Sequence, residues 1–130
     1  ELKKRYPFKL GEDIAVPIPA LAATIAAARH EAGLSGVETA IWGHAGDGNL
    51  HVNYLLESEA QLPKLEPLML SLARAATRVG GAMSGEHGLG RLKRKIAQNV
   101  LPDEYFAVQR SIKTALDPHL LFNPALESVA

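Results

Sequence analysis

Three of the five histidines of this 130-residue sequence lie in two short, glycine-containing segments that also carry acidic residues. The first segment carries His44 and His51 on either side of Gly46-Asp47-Gly48, and the second carries the adjacent pair Glu86 and His87. Imidazole and carboxylate groups bind metal ions and transfer protons. If the fold brings both segments together, these side chains form a candidate metal or acid–base site.

The first segment predicts a β-hairpin. Val37–Ala45 and Asn49–Leu56 are rich in β-forming residues, and Asp47-Gly48 between them favours a two-residue type I′ turn. With that turn His44 lies directly opposite His51, at a Cβ separation of about 4.5–5.5 Å. One metal ion bonded to both imidazoles at about 2.0–2.1 Å spans that gap. Two solvated surface imidazoles that happen to pair are the alternative, and the residues alone leave both interpretations open.

The same register gives the hairpin two different faces. Trp42 lies opposite Asn53, and both share the face of the two histidines. The other face is apolar and consists of Ile41, Ala45, Leu50, Val52 and Tyr54. We therefore expect one face of the hairpin to pack in the core and the other to carry a polar site.

The second segment, Met83–Gly90, supplies the other half of the predicted site. Glycines on both sides of Glu86 and His87 let the loop backbone turn, so that both side chains address one point. Two histidines with the Glu86 carboxylate leave coordination positions open, as in a catalytic metal site, and His87 is then the free base. An ordinary glycine-rich loop with a solvated Glu and His is the alternative.

Three helices are predicted around these segments. Apolar residues recur at helical spacing over about 19–32, 64–79 and 102–116, with Pro and Gly at the ends. Within the last helix, Tyr105 and Phe106 are expected to anchor the helix in the core.

The start of the chain is interpreted as a cut, so the chain is expected to be a fragment of a longer protein. Residues 1–12 show no period and are interpreted as a remnant or linker from a preceding region, and Asp13–Pro17 is a short strand candidate. The first residue is Glu1 rather than Met, so residues 13–130 are expected to form one domain of a longer chain. The basic run Arg91–Lys95 is interpreted as a solvated face.

Composition excludes several classes of function. Apolar residues make up 47% of the chain and charged residues 22%, which is typical of a folded globular domain. Fourteen basic residues balance fourteen acidic ones, so net charge does not predict nucleic-acid binding. The absence of Cys excludes disulfides, iron–sulfur clusters and thiol catalysis. The apolar stretch Ile14–Ala28 is too short to predict a transmembrane helix.

Four stretches of the sequence resemble, in order, the motifs of one family. They are EDIAVP at 12–17, GHAGDGNLHVN at 43–53, SGEHGLGRLKR at 84–94 and LDPHLLFNP at 116–124. The family is the C-terminal domain of the FAD-linked oxidases, found in D-lactate dehydrogenases, the glycolate oxidase FAD subunit and D-2-hydroxyglutarate dehydrogenase.

The resemblance implies a fold and a set of site residues. The fold is α+β, with a ferredoxin-like antiparallel sheet, packed helices and a helical C-terminal tail. The positions matching His44, His51 and Glu86 bind a divalent metal, usually taken as zinc. The position matching Asn53 contacts substrate, and the position matching His87 acts as the base.

The resemblance also implies cofactors and partners. The parent protein is expected to oxidise a small D-2-hydroxy acid and pass a hydride to FAD, with a metal ion orienting the acid. A flavin-binding domain of the same chain holds FAD, and nothing in these 130 residues resembles that domain. This chain alone is therefore expected to be inactive. An electron-transfer subunit is a further expected partner, and the expected location is the cytoplasm or the inner face of a membrane.

Two other classes of function fit some of the same residues. A two-histidine, one-carboxylate set also fits a non-haem iron(II) oxygenase, although such sites are commonly found on all-β scaffolds. The second alternative is a metal-free interaction domain in which the site motifs are structural relics. The metal and flavin content of the intact protein distinguishes these three functions.

Overall fold

The computed structural model describes the backbone of residues 2–124 and the side chains of residues 4–124; the last residues of the predicted C-terminal tail, 125–130, lie outside that range. Two 3₁₀ turns, Ile18–Ala20 and Glu59–Lys64, each lead into a longer helix. The elements in chain order are α1 (Leu2–Arg5), β1 (Phe8–Ala15), α2 (Leu21–Leu34), β2 (Glu38–His44), β3 (Asn49–Leu56), α3 (Leu65–Arg78), α4 (Arg94–Gln98) and α5 (Asp103–Leu116).

The three strands form one antiparallel sheet in the order β1-β3-β2. Strands β1 and β2 are therefore parallel to each other and flank β3, with α2 connecting them. This is the split β-α-β arrangement of ferredoxin-like folds. Ala82 forms a single antiparallel bridge with Ala15 on the free edge of β1, where a ferredoxin-like sheet has its fourth strand. The predicted α+β class is confirmed.

The main core lies between one face of the sheet and helices α2 and α3. Alternate residues of the strands point into this core, because successive side chains of a strand point to opposite faces. Tyr54 is buried there, and its hydroxyl donates to the carbonyl of Leu68 at 3.4 Å. The core side chains include Ile14, Ala28, Ala32, Leu50, Val52, Tyr54, Leu56, Leu68, Leu72 and Ala76. The other sheet face is left free for polar side chains.

A second, smaller core joins α3 and α4 to the segment after α3. It is built from Met69, Ala73, Met83, Ile96 and Ala97. The last helix, α5, contributes little to it: Phe106 packs against the cluster from its edge, but Tyr105 is 41% exposed. The prediction that both rings anchor α5 in the core is wrong for Tyr105, and none of the described residues of α5 is buried.

Lys93, expected on a solvated basic face, is buried between the two cores. Its ammonium group lies 3.1 Å from the carboxylate of Glu12, which is also buried. The same group donates to the carbonyls of Asp13 at 2.8 Å and Met83 at 3.0 Å. These contacts tie the start of α4 to β1 and to the segment that leads into the Glu86-His87 loop.

Strand β1 begins earlier than the sequence pattern indicates. Phe8 pairs with Leu56, so residues 8–12, assigned above to a linker, lie within the sheet. Phe8 and Leu10 pack against the core with Lys9 between them, which is the alternation of a half-buried strand, but Gly11 and the buried Glu12 interrupt that pattern. Across the described residues, the helices are all too short or too polar to cross a bilayer.

The hairpin forms as predicted, but its register is shifted by two residues. His44 pairs with Asn49 and Trp42 pairs with His51, so four residues rather than two connect β2 and β3. The carbonyl of Gly48 accepts the N–H of Val16 at 3.0 Å, which draws Gly48 away from the turn and towards the end of β1. A Cβ on Gly48 would lie 2.0 Å from the Val16 carbonyl oxygen, and its φ is +79°, so only glycine fits there.

Candidate metal and acid–base site

The face of the sheet turned away from α2 and α3 carries the predicted site. His51 lies in the middle strand, with Asp13 of β1 directly beside it in the register. His44 ends β2 and is a diagonal neighbour of His51 rather than its direct partner. Diagonal positions still allow long side chains to meet. The two rings are edge-to-face, with centroids 5.7 Å apart.

Glu86 completes a cluster with these two histidines. Its carboxylate oxygen Oε1 lies 3.2 Å from Nε2 of His51. One donor atom from each of His44, His51 and Glu86 lies within 4.8 Å of the others. Two metal bonds of about 2.0–2.1 Å span at most about 4.2 Å, so small side-chain adjustments bring these donors onto one ion. The residues present therefore fit a divalent metal ion such as zinc.

His87 lies on the solvent side of the cluster. Its ring stacks on His51, with centroids 5.4 Å apart and 18° between the planes, and its side chain is 65% exposed. Nε2 of His87 is 3.6 Å from Oε1 of Glu86. Asp13, His51 and His87 make a second group of donor atoms within 4.8 Å. His51 belongs to both groups and is thus the centre of the site.

Asp13 holds the loop that carries Glu86 and His87. Its Oδ2 accepts the backbone N–H of Glu86 at 2.8 Å, that of His87 at 2.9 Å, and the hydroxyl of Ser84 at 3.1 Å. Burial by itself raises the pKa of Asp13, but these three hydrogen bonds outweigh burial and hold the pKa below its ordinary value. Asp13 is therefore an ionised carboxylate beneath the site.

Gly85 allows the loop to lie this close to the sheet. A Cβ at this position would come within 2.7 Å of Oδ1 of Asp13 and 2.6 Å of Oδ1 of Asn49. Both neighbours are buried, so neither has space to retreat. The glycine before Glu86 thus serves close approach as well as the turn expected from the sequence.

Asn53, the residue expected to contact substrate, lies on the same sheet face, two residues beyond His51. Its side chain is buried, and its amide donates to the carbonyl of His51 at 3.4 Å. Across the hairpin it pairs with Ala40 and not with Trp42, the partner predicted above, and on its other side it pairs with Gly11 of β1. Asn53 is therefore a buried polar residue next to the histidine cluster.

A cavity of about 640 Å³ lies on the other side of the same loop. It is bounded by Ser84, Leu89, Arg94 and α5, and none of the three donor residues of the cluster lines it. The cluster itself lies on the open sheet face. The cavity and the candidate site therefore share only the loop that separates them.

Asp13 and Lys93 are the site-building residues that sequence reasoning missed. A signal for Asp13 was present, because the acidic pair Glu12-Asp13 stands directly before the apolar run Ile14-Ala15-Val16 and acidic residues are depleted from strands. Lys93 gave no such signal, since it is one of several basic residues in a row. Both act on groups far away in the chain, which periodicity does not reveal.

The fold and the cluster together define an α+β domain in which two histidines of the sheet and a loop carboxylate converge on one sheet face. The profile of the family described as "FAD linked oxidases, C-terminal domain" matches residues 1–126. The chain belongs to this family. The resemblance inferred from the four motifs is confirmed.

Curated relatives carry the names of hydroxy acid dehydrogenases and oxidases. The chain is 37% identical over 112 residues to the mitochondrial D-lactate dehydrogenase [cytochrome] of Kluyveromyces lactis, covering 86% of this chain and 19% of that protein. It is 38% identical over 132 residues to D-2-hydroxyglutarate dehydrogenase of Xanthomonas citri, covering 95% and 27%. It is 29% identical over 125 residues to glycolate oxidase subunit GlcD of Bacillus subtilis, again covering 95% and 27%. The chain thus spans about a fifth to a quarter of these relatives.

Proposed function

We propose that this chain is the substrate- and metal-binding domain of a flavin-dependent D-2-hydroxy acid dehydrogenase or oxidase of the glycolate or D-lactate type. The observation that carries the proposal is the convergence of His44, His51 and Glu86, from β2, β3 and the loop, next to His87. Membership of the FAD-linked oxidase family and the names of the relatives support the same reaction class.

Each residue of the cluster has a defined task in this proposal. His44 and His51 offer neutral imidazole nitrogens and Glu86 offers a carboxylate oxygen, which is a donor set that zinc accepts with coordination positions left open. A divalent metal ion held by these three residues would act as a Lewis acid on the 2-hydroxyl group of the substrate. His87 lies exposed at the edge of the cluster and takes the hydroxyl proton as general base.

The remaining parts of the reaction belong to other groups. Asn53 provides a polar side chain that contacts the substrate. FAD, held by a further domain, would supply the redox chemistry as the hydride acceptor. The proposed partners are a small 2-hydroxy acid, that flavin-binding domain and an electron-transfer subunit. We propose the cytoplasm or the inner face of a membrane as the location.

Zinc titration of the 130-residue chain tests the metal site. The chain is expected to bind one Zn²⁺ ion, as measured by calorimetry, and His44→Ala or His51→Ala is expected to weaken binding more than about 100-fold, beyond the range of outer-shell changes. His30→Ala is the control, because His30 is exposed on α2 and remote in the fold from the cluster. A wild-type chain that binds no zinc, or an equal loss in His30→Ala, contradicts the proposed metal site.

The same purified chain is expected to be colourless and inactive. Because it spans 19–27% of the relatives named above, the region that would hold FAD is expected to lie outside it. An absorbance spectrum should show no flavin bands, and D-lactate, glycolate or D-2-hydroxyglutarate should not reduce an artificial electron acceptor. A yellow protein with stoichiometric flavin would contradict this assignment.

A further inference from the structure

Asp13 has one carboxylate oxygen engaged and the other without a partner. Its Oδ2 accepts three hydrogen bonds from the loop, whereas its Oδ1 is fully buried and has no hydrogen-bond partner. A buried acceptor without a donor is costly, so a specific neighbour is expected to serve it. An imidazole nitrogen, Nδ1 of His51, lies 3.6 Å from Oδ1. In the observed orientation, the buried side-chain atom of Asn49 without a partner is Oδ1, which is itself an acceptor.

The two nitrogens of His51 face opposite partners. Nδ1 points towards the carboxylate of Asp13, while Nε2 points towards Glu86 at 3.2 Å. A neutral imidazole carries a proton on one nitrogen and a lone pair on the other. Both nitrogens face a carboxylate, but the Glu86 side chain is 50% exposed and screened by solvent, whereas Oδ1 of Asp13 is buried without a donor. The proton of the neutral ring is therefore favoured on Nδ1. Nε2 is then left with the lone pair, on the side of Glu86 and His44.

The geometry points to Asp13 as a positioning residue that sets the tautomer of His51 and, through the loop, the place of Glu86. This inference rests on the proposed function, because it assigns Asp13 a task in the proposed metal site. One side chain thereby orients two ligands from different elements: His51 through Oδ1, and Glu86 through the backbone hydrogen bond to Oδ2. Outer partners of this kind fix the ring orientation of metal-binding histidines.

Asp13→Asn separates this role from simple support of the loop. The amide has the same shape as the carboxylate. Because the three groups that contact Oδ2 are all hydrogen-bond donors, the amide oxygen takes the Oδ2 position and the NH₂ group takes the Oδ1 position. The amide NH₂ group must then face Nδ1 of His51, where it donates to a lone pair. The proton of His51 then moves to Nε2, and this tautomer has to be reversed before Nε2 can bind a metal ion.

The experiment measures the tautomer and the zinc affinity of the same 130-residue chain. Long-range ¹H–¹⁵N spectra of the metal-free protein, at a pH where imidazole is neutral, should show Nδ1–H for His51 in the wild type and Nε2–H in Asp13→Asn. Zinc binding by Asp13→Asn should be weaker by about 10–100-fold. Circular dichroism should show that both proteins are folded.

Ser84→Ala is the matched control, since it removes one hydrogen bond to Oδ2 and leaves Oδ1 and His51 untouched. It should keep the wild-type tautomer and a zinc affinity within about twofold. An unchanged His51 tautomer in Asp13→Asn overturns the inference, and so does the same loss of affinity in Ser84→Ala. If the wild type binds no zinc at all, the proposed metal site fails, whereas the tautomer spectra still decide the role of Asp13.

Discussion

His87→Ala in the full-length enzyme is expected to lower kcat by about 10²–10⁴-fold, the usual contribution of a positioned general base. The bound metal should stay close to the wild-type level, because His44, His51 and Glu86 already form a complete donor group without His87. Metal analysis of the purified variant and steady-state kinetics with a D-2-hydroxy acid measure both quantities. Added metal should not restore activity, since the missing group is a proton acceptor.

Glu86→Gln is the matched comparison, because Glu86 is the neighbour of His87 on the same loop. This change removes the only carboxylate from the group and should lower metal content, since an amide oxygen is a weaker ligand. Activity should recover in part with excess metal. The structure also contains a donor group in which His87 joins Asp13 and His51. If His87→Ala empties the site while Glu86→Gln keeps its metal, the two roles are reversed.

Lys93→Met is expected to destabilise the chain by about 3–5 kcal/mol, the usual cost of removing one partner from a buried ion pair. The substitution leaves the buried carboxylate of Glu12 without its counter-charge and the carbonyls of Asp13 and Met83 without their donor. Denaturant unfolding followed by circular dichroism measures the difference. Lys95→Met is the control, because its ion pair with Glu66 is exposed and such pairs contribute about 0–1 kcal/mol.

Acid should reduce the penalty of Lys93→Met. Burial raises the pKa of Glu12, and the charge of Lys93 opposes that rise. A folded-state pKa above the ordinary 4.5 means that the contribution of Glu12 to stability is present below 4.5 and is lost as pH rises through the raised value. Without Lys93 the pKa rises further. The difference from wild type should therefore shrink as pH falls through that range, and a constant difference would show that Glu12 is not its source.

Local patterns predict the helices and strands well where one face is apolar. The predicted helix over 64–79 is observed as α3 at Leu65–Arg78, and α5 lies within the predicted 102–116. The turn of the hairpin could not be predicted this way. Asp47-Gly48 favours a two-residue turn, but the hydrogen bond between Val16 and Gly48 comes from a strand far away in the chain and imposes a longer connection.

His44 and His51 meet in spite of the wrong register, because side chains alternate along a strand. A shift of two residues keeps every side chain on its face, whereas a shift of one would have turned the histidines away from each other. The polar face of the hairpin was therefore decided by the sequence itself. The direct pairing of the two histidines was not, and the observed contact is diagonal.

The sequence by itself determined the helices, the hairpin, the family and the residues that converge on the sheet, because these follow from periodicity within short segments and from long motifs. Only the tertiary structure decided what holds them in place. Asp13 hydrogen-bonds with residues more than 70 positions away, and Lys93 reaches back to Glu12 of the same strand. Buried charges acquire partners when separate segments pack together, and that packing depends on the whole fold rather than on any one segment.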